Sequence, residues 1–285
     1  MNAFDNNQNS RPLSARVAPL FERKHHDAPS IFRPENMLRE ARRQKSLNSA
    51  AVPPICLIDP DGDIVTYVRL ACAASPCESW ACFHTRMWEW TASDVRCGII
   101  GHVVGGSFSV LVAEQLFVSG CELLVNIAAA GQITNIGQPP YYILIERALR
   151  DEGTSYHYLP PSAYAEADPA LVELAARAFG CTGRRVQRGA TWTTDAPFRE
   201  TAEAIELRRR EGILAVEMEA AALYAFAAAW SRPVICLAHV SNRLGCVEGD
   251  FEKGEGNGAR SSLELAMMLA AAWAREAVRR VAAAE

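Results

Sequence analysis

The chain has 285 residues, enough for one large α/β domain or two small ones, and its 49% hydrophobic and 22% charged residues are those of a soluble globular protein. A formal net charge of −4 makes no case for a nucleic-acid partner, and the longest apolar run near the end, residues 265–274, is too short to span a bilayer. Nine cysteines, an odd number with no CxxC pair and no clustered histidines, argue against a disulfide framework and against a zinc site at Cys72, Cys77 and Cys82. Reduced thiols, a cytoplasmic location and no membrane association are therefore expected. Polar residues 5–8 are unlike a signal peptide.

In chain order, residues 1–50 form a basic, partly disordered extension with a short helix at 34–44, and residues 51–285 form the folded domain. Residues 55–58 predict a buried strand closed by the turn Asp59-Pro60-Asp61-Gly62. Residues 64–70 suit either helix or strand. A strand at 97–101, a glycine turn, a helix at 107–119 and a strand at 123–127 make a βαβ unit, so the sheet is at least partly parallel. Residues 140–150 and 168–179 read as helices, the second capped by Asp168 ahead of Pro169. A short strand at 186–189, a charged helix at 201–211 and a doubly buried strand at 233–240 follow. Residues 242–260 are a Gly-rich, charged loop. Ser261 with Glu264 makes a capping box for a last helix to about Ala282.

The stretch Ala215-Val216-Glu217-Met218-Glu219-Ala220-Ala221-Ala222-Leu223-Tyr224 places two carboxylates at the mouth of an apolar helical run extending to about Trp230. Such carboxylates are costly to bury without partners. Two apart on a helix, they point in different directions, and at a helix start the dipole favours them. They suit either a helix cap or contact with different groups of one polyhydroxy ligand.

VEMEAAALY resembles the signature of the nucleoside phosphorylase and nucleosidase superfamily, in which the methionine packs on the sugar and the second glutamate grips the ribose hydroxyls. Further stretches resemble the family in the same order. Residues 55–60 are similar to its opening strand and loop, Ile100-Gly101-His102-Val103-Val104-Gly105 to its glycine turn, and Asn126-Ile127-Ala128-Ala129-Ala130-Gly131 to its sugar-phosphate loop. Residues 189–195 resemble its base-stacking segment, and Val240-Ser241-Asn242 the strand end that reads the base.

The resemblance implies a three-layer α/β/α sandwich around a mixed, partly closed central sheet, and cleavage of the N-glycosidic bond of a nucleoside. It implies Glu219 and Asn242 as catalytic residues and Trp192 as base stacker. Glu217, Met218, Asn126, Asp195, Arg243, Gly101 and Arg86 complete the implied binding site. No metal or cofactor is implied, with inorganic phosphate the one candidate co-substrate. A homo-oligomer (dimer, trimer or hexamer) is implied, with Arg86 or His84 near a neighbour's site.

The phosphate ligands depart from the family pattern. Asp61, Gly62 and Asp63 stand where phosphorylases have an arginine, and Asn126 and Ala129 replace a later arginine and hydroxyl. Phosphate needs charge-assisted donors, which favours hydrolysis over phosphorolysis. Asn242 replaces the aspartate of purine enzymes, and an amide is no general acid. A phosphorylase with an altered anion site and a non-catalytic nucleoside-binding protein are the alternatives.

Overall fold

The computed structural model describes residues 17–92, 94–180, 183–244, 249–251 and 253–282. Its strands are β1 (Ile55–Asp59), β2 (Ser75–Pro76), β3 (Trp88–Ala92), β4 (Val95–Gly101), β5 (Leu123–Gln132), β6 (Tyr141–Asp151), β7 (Tyr164–Glu166), β8 (Val186–Thr194), β9 (Ile213–Glu217) and β10 (Val234–Asn242). Its helices are α1 (Pro34–Lys45), α2 (Asp63–Ala71), α3 (Gly106–Val118), α4 (Pro169–Phe179), α5 (Ala202–Arg210), α6 (Ala220–Trp230) and α7 (Ala259–Ala282). None of the described helices is long and apolar enough to cross a membrane.

The strands form one mixed sheet in the order β10-β6-β8-β9-β5-β1-β4-β3-β2, with β7 added to β6. Because β10 also pairs with β5, strands β5, β10, β6, β8 and β9 close on themselves while β1, β4, β3 and β2 continue as an open sheet. The sheet is mixed and partly closed, as expected. β1 lies parallel between β4 and β5, and all five of its residues are buried, so it is covered on both faces. Helices flank the sheet in two groups: α3 packs on α6 with α1 against α3, while α7 packs on α2 and α4.

Local chemistry accounts for several boundaries. Gly62 sits at φ +83°, a turn conformation that favours glycine, and Asp59 turns back to accept the N–H of Val65 in the first turn of α2. Asp168 caps α4 by accepting the N–H groups of Ala170 and Leu171. In the N-terminal segment, Leu38 and Ala41 of α1 are buried against Ala81, and Phe21 meets the ring of Tyr156 edge-on.

Three expectations are corrected. Residues 141–151 are the strand β6, not a helix. Tyr141 to Ile145 are five consecutive buried residues, as a strand held between β10 and β8 requires, whereas a surface helix would expose some of them. The apolar helical run is α6, Ala220–Trp230, with Glu219 at its N-cap position, so the two glutamates stand at its mouth as expected, while residues 213–217 ahead of it form the strand β9. The sheet partners of β9 on both sides, β8 and β5, outweigh its helical composition. The last helix starts at Ala259, so Ser261 lies inside its first turn and hydrogen-bonds the Gly258 carbonyl, while Glu264 pairs with Arg184 and Arg260. The strands at 123–127 and 186–189 run on to Gln132 and Thr194.

Candidate active site

The sharp passage from β9 into α6 puts Glu217 and Glu219 in different environments. Glu217 is buried, and four donors hold its carboxylate. Thr191 and Thr193 hydroxyls donate to Oε1 at 3.1 and 2.5 Å, and the backbone N–H groups of Glu219 and Ala220 donate to Oε2, both at 2.7 Å. These bonds fill its acceptor sites, join β8 to β9 and satisfy N–H groups at the start of α6. Burial raises its pKa, and the same hydrogen bonds oppose the rise.

Glu219 is also buried but less committed. Oε1 accepts the N–H of Gly105 at 2.7 Å and Oε2 that of Met218 at 3.2 Å. Burial first, then the charge of Glu217, pushes its pKa up to about 8, and Asp61 adds to the rise. Met218 is half-buried beside it. The α3 glycine Gly106 sits close by, where a Cβ would meet Ala222 at 2.8 Å and the Glu152 carboxylate at 3.5 Å. Glu152 accepts N–H bonds from Thr154 and Ser155, and exposed Asp195 accepts that of Gly153 at 2.8 Å.

The opening loop supplies the second half. The N–H of Ala129 donates to Asp61 Oδ2 at 2.7 Å, and Lys253 Nζ lies 3.2 Å from Asp61 Oδ1 and 2.7 Å from Asp63 Oδ2. Asn257 donates to the other oxygen of Asp63. Burial works against the charge on Lys253, but the two aspartates outweigh it and raise its pKa. Beneath them, burial pushes Asp59 up to about 7 and His239 down to about 4, with Lys253 adding to the second shift. The exposed His102 lays its ring against Gly62, where any Cβ would collide with it.

The remaining expected residues lie as follows. Asn242 ends β10 opposite Gly131, nearly buried, with Oδ1 accepting the N–H of Leu244 and Nδ2 donating to Ser241. Arg243 is exposed, its N–H bound to Asp250. Asn126 is buried in β5, and its Oδ1 finds no partner among the described residues. Gly101 ends β4 with Val65 Cγ1 only 2.4 Å from the position of a Cβ. Arg86 and His84 are exposed ahead of β3.

Trp192 is 3% exposed and packs with Ile133, Leu149 and Val216. Its indole N–H donates to Asp151 and the Arg208 guanidinium lies over its ring. An aromatic the sequence reasoning passed over, Phe198, stands 98% exposed three residues beyond Asp195. Lys253 was missed as well: a single lysine in a Gly-rich loop carries no spacing signal.

A closed mixed sheet with a carboxylate at the start of an apolar helix, facing a glycine turn, defines an α/β protein with its candidate site at strand ends. The sequence profile of the Phosphorylase superfamily matches residues 55–279, and the chain belongs to that superfamily. A purine nucleoside phosphorylase of DeoD type from Haemophilus influenzae (strain PittEE) is 24% identical over 151 residues, 52% of this chain. The aligned stretch spans 63% of that relative's length. Among solved structures, uridine phosphorylase from Vibrio fischeri ES114 superposes with a TM-score of 0.70 at 18% identity, covering 80% of this chain and 98% of that one. The 5'-methylthioadenosine/S-adenosyl homocysteine nucleosidase of Campylobacter jejuni gives 0.66 at 17% identity, covering 76% and 98%.

Proposed function

We propose that this protein cleaves the N-glycosidic bond of a nucleoside with water as the nucleophile. The observation that carries the choice of water is Asp61. Its carboxylate takes the N–H of Ala129 and the ammonium of Lys253, donors lying where the superfamily resemblance puts phosphate. An anion entering there would have to displace a carboxylate already bound and would be repelled by Asp63. Water needs only an acceptor that orients it and takes its proton, a role open to Asp61.

In this reading Glu219 and Met218 hold the sugar, and Glu217, with its four donors, fixes the turn that aims them. Asn242 hydrogen-bonds the departing base, with Asp195 and Arg243 at its rim. The exposed ring of Phe198 offers the base a face, and Trp192 supports the wall from within. A homo-oligomer is part of the proposal, since exposed Arg86 and His84 suit a site shared between copies.

The test is a panel of purine, pyrimidine and 5'-methylthio nucleosides in phosphate-free buffer, with free base followed by chromatography. Base release from at least one of them is expected, together with a rate at least a hundredfold lower in Asp61→Asn. Saturable nucleoside binding without base release would instead support a non-catalytic binding protein.

A further inference from the structure

The basic N-terminal segment reaches the folded domain at a short 3-10 turn, Ser155–His157, through side chains 21–26. The Phe21 ring meets that of Tyr156 at 4.9 Å between centroids, His26 Nε2 lies 3.2 Å from the Tyr156 carbonyl, and Lys24 Nζ lies 2.9 Å from Nδ1 of His157. Just ahead of the turn, Gly153 donates its N–H to Asp195 and the buried Glu152 approaches Gly106, so the contact borders the candidate site. None of these contacts depends on how that site acts.

The Lys24 contact fixes a protonation state. An ammonium only donates, so Nδ1 of His157 must accept, which leaves the ring neutral with its proton on Nε2. A protonated ring offers no acceptor and sets a second cation 2.9 Å from the first. His26 differs: its ring N–H donates to a carbonyl in either charge state, so that bond survives acid. The other charged groups nearby do not offset the repulsion. Arg150 is a further cation, over the Tyr156 ring. Glu152 is held by the N–H groups of Thr154 and Ser155, Asp151 by the Trp192 indole, and Glu114 by the Tyr158 hydroxyl. Among the described residues neither acid of the segment, Glu22 or Asp27, forms an ion pair with Lys24, His26 or His157. Burial first, then Lys24 and His26, lowers the pKa of His157. The docked state is therefore favoured above the ordinary histidine range and loses ground as pH falls through it.

We propose that residues 17–28 are an acid-released strap. It lies on the 155–157 turn while the His157 ring is neutral and comes away when Nδ1 takes a proton, carrying Phe21 off Tyr156 and freeing the turn that follows Glu152 and Gly153. The Lys24–His157 pair is the sensor, and Phe21 and His26 hold the segment in register.

The experiment is amide hydrogen exchange by mass spectrometry on the full chain at pH 7.5 and 5.0, each rate divided by the intrinsic rate at that pH. Peptides from residues 17–32 report the strap, and peptides from α4 report the fold. At pH 5.0 the strap peptides should exchange at least threefold faster, while those of α4 stay within twofold. In His157→Gln, whose amide oxygen still accepts from Lys24 but takes no proton, the strap ratio should fall below threefold. His157 is exposed, so this variant should keep the fold, which a melting curve checks. Should that melt fall, Lys24→Met, which removes the other member of the pair, decides by the same threshold. A strap ratio below threefold in the unaltered chain overturns the proposal, as does a rise shared equally by α4. A ratio of threefold or more retained in the deciding variant overturns it as well.

Discussion

Glu217 and Glu219, two residues apart, differ in the number of donors each accepts. Four protein donors hold Glu217, whereas Glu219 has two and keeps acceptor capacity beside Met218. Glu219→Gln should therefore fold and lower kcat/KM on the true nucleoside by about 2–4 kcal/mol, the scale of a positioned hydrogen-bonding group lost from the transition state. A steady-state comparison checks this, and an unchanged kcat/KM would remove Glu219 from the sugar site. The two aromatics separate in the same way. Phe198→Ala should weaken nucleoside binding by about 1–3 kcal/mol with little change in melting, because the ring is already in solvent. Trp192→Ala should mainly cost stability, about 3–5 kcal/mol, because its ring is buried among Ile133, Leu149 and Val216. Denaturant titration and KM measurement on both variants distinguish them. The glutamates were legible in the sequence because carboxylates in an apolar run demand partners. The Asp61–Lys253 pair was not, because it joins residues 192 apart in the chain through a turn and a loop whose geometry no periodicity encodes.

At the scale of elements, the turn between β9 and α6 is the joint on which the candidate site depends. Glu217→Ala would leave the N–H groups of Glu219 and Ala220 and the hydroxyls of Thr191 and Thr193 without their acceptor. Each buried donor costs about 1–3 kcal/mol when unpaired, so a loss on the order of 3 kcal/mol or more is expected in chemical denaturation even after water relieves some of them. A change below about 1 kcal/mol would show that the cap is dispensable. The βαβ core around β1 was readable from its alternation of apolar runs and glycine turns. β6 was not: Glu146, Arg147 and Arg150 gave its second half a helical look, while its place in the sheet comes from pairing with β10 and β8, strands 80 or more and 35 or more residues later in the chain. β9 was hidden likewise, five residues whose partners lie in β5 and β8.

Across the whole molecule, several buried carboxylates share one direction of shift. Burial raises Glu219 to about 8 and Asp59 and Glu200 to about 7. Their folded pKa values exceed the unfolded ones, so the stability they contribute is complete below the usual carboxylate range and is lost as pH rises through 7 and 8. His239, pushed down to about 4, works the other way, and its contribution is lost as pH falls from 6.5. Between pH 6.5 and 8.5 the contribution of Glu219 is still being lost, so Tm should fall across that range, and fall less in Glu219→Gln. Calorimetric melts across that range check it, and a flat or rising Tm would contradict the burial of ionising groups described for Glu219 and Asp59.

The central claim is that Asp61 holds the place of an attacking anion, so that water takes its part. The most direct measurement is product identification by 31P NMR and mass spectrometry after turnover of a cleaved nucleoside in saturating inorganic phosphate. The account predicts free base and free sugar, with no sugar phosphate at any phosphate concentration. A sugar 1-phosphate that accumulates in step with free base would contradict it and make the chain a phosphorylase.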